Sequence, residues 1–217
     1  ARHMPQRLAE FKPQDVSNTL YAFAGLSFSD AALLRTATEH IAGLDEKQLR
    51  RFRPQALSNT VYALGRLGCR DTGALHRLAA HISIRLLEFG HQDISNSVYA
   101  FAQLDFRHEG FLRAVNEHLT LRRCHGGGVG AASDAADAKG LLAEFTPQAL
   151  GNTIFGLAHL AFPPWGLVHA INIHLGWRNG ERLRTASARD LVVLASSCLV
   201  GGVGHTRQPR RSARIVS

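Results

Sequence analysis

The side chains best suited to chemistry in this sequence are its arginines. Of 25 Lys plus Arg residues only three are lysine, and the formal net charge is +8. A guanidinium binds phosphate through two hydrogen bonds and stacks on bases, whereas an ammonium is a hydrated point charge. The arginine excess therefore favours a nucleic-acid partner. A GC-rich genome would also raise the arginine content, without any such function.

Histidine and asparagine recur at fixed places, each once per repeat of the sequence. Because copies that lie one repeat apart are too distant to share an ion, the histidines are predicted to be packing residues with one bonded ring nitrogen. Asparagine is a poor residue inside a helix unless its amide is bonded, so these amides are predicted to bond to the backbone of the next repeat; direct RNA contact is the alternative. The recurring Gln and Tyr/Phe positions are likewise interpreted as structural, with base stacking as the weaker reading of the aromatic rings. The two polar sets are Asn18, Asn59, Asn96 and Asn152, and His40, His81, His118 and His174.

Positions that vary inside the fixed frame are the better candidates for recognition, because a modular binder keeps its scaffold and changes its readout. One variable position follows the opening Phe of each repeat, and the other precedes the closing Leu. Drift of exposed positions would produce the same variation. The members able to donate to phosphate or to base edges are Lys12, Arg53, Arg66, Gln103 and His159.

No arrangement typical of an enzyme is present. Nucleophile and base pairs, paired carboxylates and phosphate loops are missing at workable spacing, so we expect no catalysis, no cofactor and no small-molecule substrate. The three cysteines are scattered and form no pair typical of a metal site. No run of eighteen apolar residues occurs, so no membrane partner is expected.

The element that positions these residues is a tandem repeat. Four stretches beginning at Phe11, Phe52, Phe89 and Phe145 align without gaps, and the underlying period is about 37 residues. Pro in the first turn and apolar residues at steps of four and three, such as Val16 and Leu20, predict a helix in each first half. A second helical pattern follows in each unit. The small residues predicted to allow close approach of neighbouring helices are Ala22, Ala63, Ala100 and Gly156.

The predicted fold class is therefore all-α: an α-solenoid of tandem antiparallel helix pairs, with at least four units plus partial end units. Residues 1–10 are expected to end a preceding repeat, so that the protein could be longer. The helical repeats span 11–182 and hold a low-complexity insertion at 122–140, and residues 183–200 are expected to form a degenerate capping helix.

Residues 201–217 form a basic Gly/Arg tail that has no means of building a core. We expect it to follow an RNA backbone. The arginines expected to neutralise phosphates are Arg207, Arg210, Arg211 and Arg214.

The core pattern Pro-Gln-x-Leu-Ser-Asn-Thr-x-Tyr-Ala-x-Ala-x-Leu resembles the octotricopeptide repeat and the similar heptatricopeptide repeat. The resemblance covers roughly 170 residues, although Tyr21, Tyr62 and Tyr99 replace the Trp frequent in those repeats. It implies an organellar α-solenoid that binds RNA, and some such proteins are built into mitochondrial ribosomes.

The sequence thus predicts an RNA-binding protein, most simply a structural component of a mitochondrial ribosome that contacts rRNA and neighbouring ribosomal subunits. The alternatives are an organellar factor for RNA maturation, stability or translation, and a protein-binding scaffold without RNA contact. The expected location is the mitochondrion, with the plastid as the alternative.

Overall fold

In the computed structural model, the residues described are 11–120 and 144–162. Within these ranges the regular structure is helical and includes no strand, which agrees with the predicted all-α class. The first helices of the units are α1 (Pro13–Gly25), α4 (Pro54–Arg66), α6 (His91–Gln103) and α8 (Pro147–His159). The second helices are α2 (Ala31–Gly43), α5 (Thr72–Ile84) and α7 (Glu109–Thr120), and the connections hold the short α3 (Glu46–Leu49) and a 3-10 turn (Leu86–Glu88).

The first helices begin as the sequence predicts, with Pro in the first turn of α1, α4 and α8. All four end in the same way, at a Leu followed by a residue in the left-handed conformation. In α8, for example, Ala161 has φ 54° and the amide of Phe162 donates to the carbonyl of Leu157. This is the Schellman motif, whose left-handed position usually holds Gly. Gly fills it only after α4; the other three occupants are Ser27, Asp105 and Ala161.

The helices pack in two layers. Each first helix contacts the first helix of the next unit, in the order α1, α4, α6, α8, and the second helices contact one another in the order α2, α5, α7. Of the side chains predicted to face the core, Phe23 is half-buried and the others are fully buried, namely Val16, Leu20, Leu57, Val61 and Leu64. The apolar periodicity of the sequence therefore identified the correct face of each first helix.

Close contacts hold the first-helix layer together, as the small residues predict. A Cβ added to Gly156 of α8 would lie 2.6 Å from Cγ1 of Val98 and 3.0 Å from its carbonyl oxygen on α6. A Cβ on Gly65 of α4 would lie 3.0 Å from Cβ of Ala100. Ala22 of α1 is exposed. The spacing of α4, α6 and α8 thus depends on positions that carry little or no side chain.

One polar link joins consecutive first helices. The hydroxyl of Ser58 donates to Oδ1 of Asp93 in the next unit (2.7 Å), while Oδ2 of the same carboxylate accepts from the amide of Gly90 at the start of α6 (3.3 Å). The residue at this position alternates between units: Asp15 and Asp93 occupy it in α1 and α6, and Ala56 and Ala149 occupy it in α4 and α8. The corresponding buried hydroxyls, Ser17 and Ser95, find no partner among the described residues.

Several predictions concern residues outside the described ranges. These are the preceding repeat at 1–10, the insertion at 122–140, the capping helix at 183–200, the tail at 201–217 with its four arginines, and His174.

Candidate nucleic-acid interface

The outward side of the first helices carries a repeated set of amide and aromatic residues, which we call the stripe. Its four positions per helix follow at steps of four, three and four residues, so they lie on one helical face. None of the sixteen positions holds an acidic residue. The stripe consists of Gln14, Asn18, Tyr21 and Gly25 on α1; Gln55, Asn59, Tyr62 and Arg66 on α4; Gln92, Asn96, Tyr99 and Gln103 on α6; and Gln148, Asn152, Phe155 and His159 on α8.

On α1 and α6, the amides of the stripe bond within their own helix. Nε2 of Gln14 donates to Oδ1 of Asn18 (2.9 Å), and Nε2 of Gln92 donates to Oδ1 of Asn96 (2.8 Å). The prediction that these asparagines bond to the backbone of the adjacent unit is therefore wrong for Asn18 and Asn96. The physical reason is the four-residue spacing, which brings Gln and Asn together on the outer face of one helix. Each Asn keeps its NH₂ donors for another partner.

The aromatic residues of the stripe pair across neighbouring units. The ring centroids of Tyr21 and Tyr62 lie 6.0 Å apart, and those of Tyr99 and Phe155 lie 6.4 Å apart. The rings are not buried by these contacts, because Tyr21 is 48% and Phe155 is 41% exposed. The interpretation of these positions as packing residues is thus incomplete: they link units and also present ring surface to solvent. Aromatic surface beside amides and arginine is suited to stacking unpaired bases.

A small open pocket lies between the first two units. Tyr21, Ala24, Gly25, Tyr62 and Arg66 line its volume of about 150 Å³. Its walls combine two phenol rings with one guanidinium. Nothing in the sequence pattern marks this pocket, because it arises only from the side-by-side packing of α1 on α4.

The variable residues singled out by the sequence lie at the two ends of the first helices. Lys12 and Arg53 are the exposed N-cap residues of α1 and α4. Arg66, Gln103 and His159 are exposed at the C-terminal ends of α4, α6 and α8, in the last position of the stripe. RNA binding by these five side chains stays a prediction.

Other arginines serve the fold, which the overall arginine count did not reveal. Nε of Arg77 donates to the carbonyl of Leu44 at the end of α2 (2.9 Å), and Nη1 of Arg107 donates to the carbonyl of Leu160 at the end of α8. Both cross between units and satisfy carbonyls that the helix leaves unpaired at its end. Part of the arginine excess is therefore structural.

The histidine of the second unit occupies a defined polar network. His81 is buried; its Nε2 lies 3.1 Å from Nη1 of Arg85 and its Nδ1 lies 3.0 Å from Oε1 of Glu46. A guanidinium can only donate, so Nε2 accepts and Nδ1 carries the proton. Burial, the largest effect, lowers the pKa of His81, although Glu46 acts in the opposite direction. Arg85 also donates to the carbonyl of Phe52 (3.0 Å), so this network ties α5 to the start of its own unit.

The other histidines of the set do not form a metal site in the described ranges. His40 is half-buried, and burial lowers its pKa. His118 is also half-buried. Within residues 11–120 and 144–162, no group of three or more His, Cys, Asp or Glu side chains could hold a metal ion.

The part of the chain that the structure describes contains no helix long and apolar enough to cross a lipid bilayer.

Within residues 11–120 and 144–162 the protein is all-helical, and its layered helices follow the repeats of the sequence. Residues 4–125 match the model of the family described as RNA-editing substrate-binding complex 6 protein, which is more than half of the chain. The protein therefore belongs to that family. The match runs from before α1 to beyond α7. A search of the curated proteins found no match.

Proposed function

We propose that this protein is an RNA-binding subunit of an organellar ribonucleoprotein, and that it contacts RNA through the stripe and the basic residues at the ends of the first helices. The observation that carries the proposal is the stripe, in which each of four neighbouring helices presents amides and an aromatic ring, with Arg66 on α4, His159 on α8, and no acidic residue at any of its positions. The family name, which refers to a complex that binds RNA-editing substrates, supports RNA as the partner.

The finer features of the proposal follow from the repeats and from the family. We propose that the two helix layers form an α-solenoid of octotricopeptide-like units, that the protein acts in the mitochondrion, and that its role is binding and not catalysis. Membership of the family favours a complex that handles RNA for editing or maturation. A structural role in the mitochondrial ribosome, with rRNA and ribosomal subunits as partners, is the second form of the same proposal.

The test is a filter-binding titration of the protein with single-stranded RNA at several salt concentrations. A binding protein that neutralises phosphates loses affinity as salt rises, with a slope of about −0.7 per phosphate contact in a plot of log affinity against log salt. Arg53→Ala and Arg66→Ala should each weaken binding and flatten this slope. Arg35→Ala and Arg113→Ala remove the same charge from exposed positions on α2 and α7 and serve as matched controls.

A flat salt dependence for the unaltered protein would contradict the proposal, as would equal losses for the two pairs of variants. A protein-binding scaffold is the competing function. The observation in its favour is the exposure of Ile84 (66%) and Leu87 (73%) at the end of α5 and in the following turn. If Ile84→Ser abolishes assembly into the native complex while Arg66→Ala changes neither assembly nor RNA affinity, the scaffold is the better account.

A further inference from the structure

We propose that the pocket between Tyr21 and Tyr62 binds one unpaired base of an RNA strand, and that Arg66 binds the phosphate next to that base. This inference rests on the proposed function and specifies where, and in what form, the RNA is recognised. The ligand is single-stranded RNA, because a base in a duplex has both faces covered by its neighbours.

The shape of the pocket comes from a difference between two equivalent units. Part of the ring of Phe155 on α8 is covered by His159, four residues later, whose ring stacks on it at a centroid distance of 5.7 Å and an interplanar angle of 28°. In α1 the equivalent pair is Tyr21 and Gly25, and Gly25 has no side chain to cover the ring. A Cβ added to Gly25 would find no atom within 4 Å. The ring of Tyr21 thus has free surface at the place where, in the fourth unit, the imidazole of His159 stacks on Phe155.

The walls of the pocket leave room for a planar ligand. The rings of Tyr21 and Tyr62 are tilted by 34° with their centroids 6.0 Å apart, so they do not stack face to face on each other. Ala24, which also lines the pocket, is buried and apolar. A base stacked on Tyr21 would therefore contact phenol surface and apolar side chain, which is the environment that sequence-tolerant single-strand binders provide.

The charge around the pocket selects the ligand further. Arg66 is exposed at its edge, and its planar guanidinium can bind a phosphate through two hydrogen bonds. No stripe position of α1 or α4 is acidic. One turn before Tyr21, the amide of Asn18 retains its NH₂ donors, which can bond to a base edge. Groups suited to stacking, phosphate binding and edge contacts thus lie on two neighbouring helices: Asn18 is one turn from Tyr21 on α1, and Arg66 is one turn from Tyr62 on α4.

The experiment compares variants by fluorescence anisotropy with a labelled unstructured RNA oligonucleotide, with a duplex of the same sequence, and with a free nucleoside monophosphate as competitor. Tyr21→Ala removes the stacking surface, and Gly25→His fills the pocket without removing any group. Each should weaken single-strand binding by about 5- to 150-fold, the range expected for one base stack. Gly43→His is the matched control, because Gly43 also ends a helix with open space around it. Thermal unfolding checks that the variants fold.

The outcomes separate this inference from the proposed function. If the unaltered protein binds no RNA, the proposed function fails and the inference fails with it. If it binds RNA but neither Tyr21→Ala nor Gly25→His weakens binding more than Gly43→His does, the pocket assignment is overturned and the function stands. Duplex binding that is as tight as single-strand binding and equally sensitive to both variants would also overturn it. The pocket assignment would also be overturned if the free nucleoside monophosphate bound in the pocket, and if Gly25→His blocked this binding without changing the affinity for the single strand.

Discussion

Gly156 offers the most direct test of how the first helices are spaced. In Gly156→Ala the added Cβ would lie 2.6 Å from Cγ1 of Val98, about 1 Å closer than an ordinary carbon contact. The carbonyl oxygen and carbon of Val98 lie at 3.0 and 3.2 Å from the same Cβ. A side chain can rotate away from such a contact, but backbone held in α6 cannot, so the two helices must move apart.

The expected effect is a loss of stability that outweighs the better helix propensity of Ala. Overpacking of this kind costs about 1–3 kcal/mol, whereas replacing Gly by Ala inside a helix contributes about 1 kcal/mol. We therefore expect a net loss of up to about 2 kcal/mol in the free energy of unfolding. Gly43→Ala is the matched control; its Cβ meets nothing within 4 Å, so it should be neutral or stabilising by up to about 1 kcal/mol.

Equilibrium unfolding in urea, followed by circular dichroism, measures both variants. Val98→Ala in the Gly156→Ala background removes the methyl contact but leaves the backbone contacts, so it should restore part of the loss and give a favourable coupling energy in a double-mutant cycle. If Gly156→Ala is as stable as Gly43→Ala, then α6 and α8 do not approach as closely as the structure shows.

Three further predictions concern helix ends, arginines and pH. Ala161→Gly should raise the free energy of unfolding by about 1 kcal/mol, because it relieves a left-handed conformation that Ala adopts with strain; an unchanged urea midpoint would contradict this. Arg77→Met should destabilise the protein by about 1–3 kcal/mol, because it removes the hydrogen bond to a helix end. Arg66→Met should leave the urea midpoint unchanged and lower RNA affinity. If both variants change stability and RNA affinity in the same way, the division into structural and binding arginines is wrong. Because burial holds the pKa of His81 below its unfolded value of about 6.5, the unfolded chain binds more protons, and stability should fall as pH falls from about 7 to 5. Urea midpoints at pH 7.5 and 5.5 test this, and His81→Gln should reduce the difference; an unchanged difference would count against His81 as its source.

The helices and their inward faces could be read from the sequence alone. Pro in the first turn and the apolar periodicity are local properties of the chain, so they predicted where α1, α4 and α8 begin and that residues such as Leu20 and Val61 are buried. The small residue at 156 also indicated a close helix contact, because only a very small side chain fits between two helix backbones. These features depend on a few neighbouring residues, and a repeat displays them several times.

The partners of the polar residues depended on the tertiary structure. Asn18 was predicted to link units but bonds to Gln14 in its own helix. The arginine excess that favoured a nucleic-acid partner includes Arg77, which caps a helix of the preceding unit. The pocket at Tyr21 and Tyr62 exists only where two helices lie side by side. The sequence determined which residues face outward, because periodicity sets the faces of a helix. Only the packing of one unit on the next decided which of those outward residues meet, since contacts across units depend on the relative orientation of helices that are distant in the sequence.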